Sequence, residues 1–125
     1  MLTLSILPDT YAICRLDVND PVPDWAMSGN FVSITRTTDE LSIVCRDHNV
    51  PDNATCDRGW RVFRVEGPLD LSLTGVLASL AGPLAEAQIN LFVVSTYDTD
   101  YLLVKEANLR WAVDVLRQAS HIVQP

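Results

Sequence analysis

The segment Glu66-Gly67-Pro68-Leu69-Asp70-Leu71-Ser72-Leu73-Thr74-Gly75-Val76 puts carboxylates, hydroxyls and glycines just ahead of an apolar stripe with helical spacing. A strand-to-helix junction of this kind can hold a zwitterion. Backbone N–H groups at a helix start have no intrahelical partner, and the helix dipole places partial positive charge there. A carboxylate fits that end. Asp70 can pair with an ammonium group, and Ser95 or Thr96, at the end of the next strand, can add hydrogen bonds. A carboxylate and an ammonium on one ligand describe a free amino acid. Gly75 would let a ligand or a partner backbone approach closely. The same residues have a plainer use: Asp70 or Ser72 as the helix N-cap, and Gly75 packed on a strand.

Other reactive residues are less well arranged. Asp98 and Asp100 stand two apart, a start for ligating a hard cation. No carboxylate continues the spacing of a calcium loop, and hairpin turns favour Asp and Thr anyway. Cys14 and Cys45 fall in apolar runs and read as inert core, while Cys56 falls in a polar loop over 47–59. His48 and Cys56 lack the CxxC or HxxxH spacing of a zinc site, and no third group orients them as a nucleophilic pair. Trp25, Trp60 and Trp111 are scattered, which suits core packing rather than a stacking platform for nucleic acid. No catalytic residue, metal or cofactor is expected.

The elements that must position the first segment are legible. Trp60–Glu66 alternates apolar and polar residues, as a strand does. Leu73, Val76, Leu77, Leu80, Leu84 and Ala87 form one helical stripe, in phase across Gly82-Pro83, which predicts a single bent helix. Leu91–Ser95 is an apolar run expected for a central strand. Tyr97–Asp100 is a turn and Tyr101–Val104 the second strand of a hairpin. Leu109, Ala112, Val113 and Leu116 mark a second helix, and His121-Ile122-Val123 a short last strand. The order β-α-β-β-α-β is that of the split βαβ in ferredoxin-like folds.

The first half carries a fainter copy. At an offset of 60, Phe31–Arg46 overlies Leu91–Glu106; at 49, Ala12–Asp17 overlies Arg61–Glu66. The first crossover is shorter, with room for a short helix near Pro23-Asp24-Trp25-Ala26. Composition is consistent with this. A chain of 125 residues makes one compact domain or two very small ones, and 48% hydrophobic with 20% charged residues argues against disorder. A net charge of -7 argues against nucleic acid and anionic membranes. No apolar run approaches the ~20 residues of a membrane span. The start, Met1-Leu2-Thr3-Leu4-Ser5, lacks the basic residues of a signal peptide. The odd number of cysteines suits reduced thiols, so a cytoplasmic setting is expected.

Leu73-Thr74-Gly75-Val76-Leu77-Ala78-Ser79-Leu80-Ala81, followed by Ala85-Glu86-Ala87-Gln88-Ile89-Asn90-Leu91, resembles the helix and following strand of an ACT domain. Glu40–Cys45, Gly59–Arg61, Val65–Asp70 and Ser95–Glu106 extend the resemblance. Together they look like the small bacterial proteins with two ACT-like modules, similar to the ACT modules of aspartate kinases and to the cytosolic arginine sensors. The resemblance implies an α+β fold of two tandem ferredoxin-like (βαββαβ) modules, a degenerate one over 1–58 and a complete one over 59–125. It implies a regulatory protein without catalysis that binds an amino acid effector at a module or subunit interface. Carried over, the effector would touch Asp70, Leu71, Leu73, Thr74, Gly75, Val76, Asn90, Phe92, Ser95 and Thr96. A homodimer and a regulated protein partner are expected; the alternative is an interaction module without ligand. Thr74 stands where many ACT domains have Pro and Gln88 where many have Gly, so a different helix end is expected at Gln88.

Overall fold

The computed structural model describes residues 1–70 and 74–125. In chain order the elements are β1 (Thr3–Ile6), β2 (Tyr11–Leu16), β3 (Ser33–Arg36), β4 (Leu41–Arg46), β5 (Cys56–Val65), α1 (Val76–Glu86), β6 (Phe92–Ser95), β7 (Asp100–Lys105), α2 (Leu109–Gln118) and β8 (Ile122–Gln124). Short 3-10 turns cover Asp24–Ala26, Asp47–Asn49 and Glu106–Asn108. The fold is α+β with a mixed sheet. Two compact units divide it: Asp9–Trp60, and Met1–Pro8 together with Arg61–Pro125. The first eight residues therefore belong with the C-terminal half, whereas a division of 1–58 from 59–125 was expected. The reason is pairing: Leu4 lies opposite Val65 on antiparallel β5 and opposite Val123 on parallel β8.

In the C-terminal unit the strand order is β6-β7-β5-β1-β8. The expected β-α-β-β-α-β sequence runs from β5 to β8, with β1 inserted between its first and last strands. Leu4, Phe63, Val65, Leu80, Leu84, Leu102, Val104, Ala112 and Leu116 form the core and are fully buried. The α2 stripe behaves as its spacing predicts, with Leu109 and Val113 packed at the core's edge. Two expectations fail here. The apolar run of β6 is an edge strand, paired among the described residues only with β7, and its Phe92, Val93 and Val94 are half-buried. Trp111 is 51% exposed, because it lies off the α2 stripe that meets the sheet.

Helix α1 continues through Pro83. Proline has no N–H to give the carbonyl four residues back, which is that of Ser79. The buried imidazole of His121 fills the vacancy, with Nε2 3.1 Å from the Ser79 oxygen. Its Nδ1 accepts the N–H of Leu2 at 3.1 Å, so the ring proton of the neutral imidazole must sit on Nε2 and donate to Ser79. Gln88 does not alter the helix end. It takes the left-handed conformation, φ 59°, that glycine usually supplies, and Ile89 and Gln88 donate to Leu84 and Ala85 at 3.0 and 2.9 Å. These are the two bonds of a Schellman motif. Ser120, φ 73°, ends α2 in the same way.

In the N-terminal unit the order is β3-β4-β2-β5. Leu41, Ile43 and Cys45 alternate onto one face of β4 and pack with Ala12, Cys14, Ala26 and Val50. The crossover holds only the Asp24–Ala26 turn. Cys56 is not in a loop: β5 begins with it, and it lies opposite Cys14. The hairpins of the two units share one geometry. Arg36 faces Leu41 and Ser95 faces Asp100, with Thr37 N–H donating to the Glu40 carbonyl at 2.9 Å and Thr96 N–H to that of Thr99 at 2.8 Å. Equivalent positions differ by 59, because both turns contain the same number of residues, not by the 60 of the best hydrophobic overlay. Among the described residues no helix is long and apolar enough to cross a membrane.

Replacing His121 by Phe leaves the Ser79 carbonyl and Leu2 N–H without their partner and is expected to cost about 1–3 kcal/mol per orphaned group in urea unfolding. Adding Pro83→Ala should recover part of that loss, since an alanine at that position brings its own N–H to Ser79; additive effects would contradict the bridge. Gln88→Gly should stabilise by about 1 kcal/mol by removing a left-handed residue with a Cβ, read from the same titration.

Candidate functional site

Three pieces of the C-terminal unit converge beside the start of α1. The strand β5 runs out at Val65 into a loop over 66–70. The β6–β7 hairpin turns at Tyr97-Asp98. Helix α1 opens at Val76, after Gly75 as N-cap, with φ 78°. The cap is Gly75, without a side-chain hydrogen bond, rather than Asp70; Ser72, the other expected cap, lies outside the described residues. A left-handed cap is open to glycine at no steric cost.

The loop is bound to the turn by named contacts. Leu69 N–H donates to the Asp98 carbonyl at 2.7 Å. The buried hydroxyl of Thr99 donates to the Val65 carbonyl at 2.6 Å. Gly67 explains how loop and turn come so close: a Cβ there would lie 3.0 Å from the Leu69 nitrogen and 3.2 Å from the Asp98 oxygen. Within the hairpin, Ser95 Oγ donates to Asp100 Oδ1 at 2.7 Å, which fixes the carboxylate's direction. Thr96 Oγ1 accepts the N–H of Thr99 at 3.3 Å.

These pieces enclose an open cleft of about 130 Å³, lined by Leu69, Asp70, Val76, Ser95 to Thr99, and Asp100. That is on the scale of the ~150 Å³ cavity that accommodates benzene. Three carboxylates, Asp70, Asp98 and Asp100, line it without a basic side chain. The first turn of α1 supplies backbone N–H groups at the same place. Negative side chains and a positive helix end thus face one small volume, a pattern that separates the two charges of a zwitterion.

Of the residues singled out from sequence, the cleft gathers Asp70, Val76, Ser95 and Thr96. Thr74 and Gly75 are exposed and flank it, while Leu71 and Leu73 lie outside the described residues. Asn90 and Phe92 do not line it. The cause is strand length: Phe92 lies three residue steps before Ser95 on β6, about 10 Å along the strand. Leu69, Tyr97, Asp98, Thr99 and Asp100 are additions. The Asp98/Asp100 pair was legible as a turn, and only the docking of the loop at Gly67 turns it towards a cleft. Among the described residues no group of His, Cys, Asp and Glu is placed to hold a metal ion.

A family profile for the ACT domain matches residues 55–118, and another, for an N-terminal domain, matches residues 9–53. The human protein called cytosolic arginine sensor for mTORC1 subunit 1 is 38% identical over 60 residues, 47% of this chain and 18% of the sensor, so the match spans a small part of that relative's length. A crystal structure of an Agrobacterium tumefaciens protein superposes with a TM-score of 0.93 at 43% identity, covering 98% of this chain and 92% of that one. The ligand-free regulatory subunit of aspartate kinase from Thermus thermophilus reaches a TM-score of 0.67 at 10% identity, covering 93% and 95%, a likeness of fold alone.

Thr99→Val removes the buried donor to the Val65 carbonyl at almost constant volume. It is expected to lower stability by about 1–3 kcal/mol in chemical unfolding. It should also raise amide exchange at Leu69, which reads the loop's release from the turn; unchanged exchange there would show that the loop holds without Thr99.

Proposed function

The chain belongs to the ACT-domain family, and on that premise we propose that it is a cytoplasmic regulatory protein that binds a free amino acid in the cleft beside α1 and does no chemistry on it. The observation that carries this reading is the gathering of Asp70, Asp98 and Asp100 with Val76, the first residue of α1, around a space sized for a small molecule. The effector's carboxylate takes the first N–H groups of α1. Its ammonium group takes Asp70, with Asp98 and Asp100 adding to the negative field. Thr74 and Gly75 border the entrance. Binding here ties the loop, the helix start and the hairpin together, which is how occupancy would reach a protein partner.

The tandem reading is part of the proposal: a degenerate module in 1–58 and a complete one in 59–125, with Met1–Pro8 contributed to the second sheet. Its support is the pair of hairpins with identical turns. The open edge of β6, and a groove of about 400 Å³ lined by Pro83, Ala87, Trp111 and Val115, support a homodimer and also favour the second reading, an interaction module without ligand.

Thermal unfolding with each of the twenty amino acids separates the two. At 100 times its dissociation constant a ligand stabilises by about 2.7 kcal/mol, visible as a raised Tm. At least one amino acid should raise the Tm of the wild type, and Asp70→Ala should weaken that shift. No shift with any amino acid would leave the interaction module as the better account.

A further inference from the structure

The three cysteines are free and none is needed for the proposed effector site. All three lie in the N-terminal unit, where Cys14 and Cys45 pack in one buried apolar cluster with Cys56 against it. The two partners are not equivalent. Cys14 lies directly opposite Cys56 on antiparallel β2 and β5. The next pair along, Arg15 and Thr55, is joined by the Arg15 N–H to Thr55 carbonyl bond at 3.0 Å. Hydrogen-bonded and open pairs alternate along such a ladder, so Cys14–Cys56 is an open pair, with Cα atoms about 4.5 Å apart. That is inside the ~4.4–6.8 Å window for a disulfide. Cys45 lies opposite Ala12, which makes it a diagonal neighbour of Cys14, at ~7–8 Å. Access differs too: Cys14 and Cys45 are buried, while Cys56 is half-exposed.

We propose that Cys14 and Cys56 are an oxidant-responsive pair, with Cys56 meeting a hydroperoxide and Cys14 closing the disulfide. The Cys56 thiolate attacks one peroxide oxygen; the S–O bond forms as the O–O bond breaks, and the leaving oxygen departs protonated, as water or an alcohol. The Cys14 sulfur then attacks the sulfenic sulfur. The S–S bond forms, the S–O bond breaks, and water leaves with the Cys14 proton. Two thiols are oxidised and one hydroperoxide is reduced. An accessible cysteine directly opposite a second cysteine that can resolve its sulfenic acid is the geometry that disulfide closure needs. Burial pushes the Cys56 thiol up, and the hydrogen bond with Cys45 followed by burial pushes up Cys14, so both rest protonated at neutral pH. The product would clip β2 to β5.

The test is hydrogen peroxide on the full chain, followed by unfolding, thiol titration and peptide mapping. The thiol count is expected to fall from three to one, with Cys14 linked to Cys56, and dithiothreitol should restore all three. Cys45→Ser should still form the link, and Cys56→Ser should keep both remaining thiols. Three persisting thiols, a Cys14–Cys45 link, links between chains alone, or Cys56 driven to sulfinic acid without a link would each overturn the proposal. The wild-type result stands without reference to any amino acid ligand.

Discussion

One buried ring carries the C-terminal unit's hardest constraint. Pro83 sits inside α1 and deprives Ser79 of its intrahelical partner. A carbonyl that is shielded from water and loses its partner costs about 1–3 kcal/mol. His121 resolves this from the far end of the chain, and its other nitrogen takes the N–H of Leu2. One imidazole thereby ties the start of the chain, the middle of α1 and the entry to β8. The bridge works in one tautomer only, since the Leu2 nitrogen can only donate. The parallel β1–β8 pairing and the helix above it are held at the same point, so the position of α1, and with it the helix start beside the cleft, follows from this bridge.

The cleft itself is made of turn chemistry. Thr99 fastens β7 to the end of β5, Leu69 fastens the loop to Asp98, and Gly67 leaves the room for both. Ser95 then spends its hydroxyl on Asp100, so that the carboxylate is oriented before any ligand arrives. In this arrangement the acidic residues are not scattered solubilising charge. They line a small volume together with Val76, the first residue of α1.

The two units show how far one hairpin can be reused. Each has a Thr at the turn whose N–H closes the same bond, and a 3-10 turn follows each hairpin, at Asp47–Asn49 and at Glu106–Asn108. After the second of these turns comes α2; after the first, Pro51 disfavours the helical conformation at Val50, whose backbone is extended. The N-terminal unit consequently packs its sheet with loops and small side chains, which is why three cysteines, compact and apolar, sit together in it.

Periodicity in the sequence determined α1, α2 and the β-α-β-β-α-β order of the second half, because each depends on residues within a few positions of one another, but not β1 or the start of β5. Residue types at the strand-to-helix junction pointed to Asp70, Ser95 and Thr96, and the family resemblance added Val76. Tertiary structure decided what depends on distant partners. The apolar run at 91–95 became an edge strand because β7, its partner among the described residues, took the place beside β5. Gly75, in a left-handed conformation, rather than Asp70, became the helix cap. Gln88 could replace glycine because the Schellman bonds at the end of α1 hold its left-handed backbone. His121 read as the first residue of a short strand. Its role was invisible until the fold brought it to Ser79, since a carbonyl orphaned by proline leaves no mark on the residue that will satisfy it.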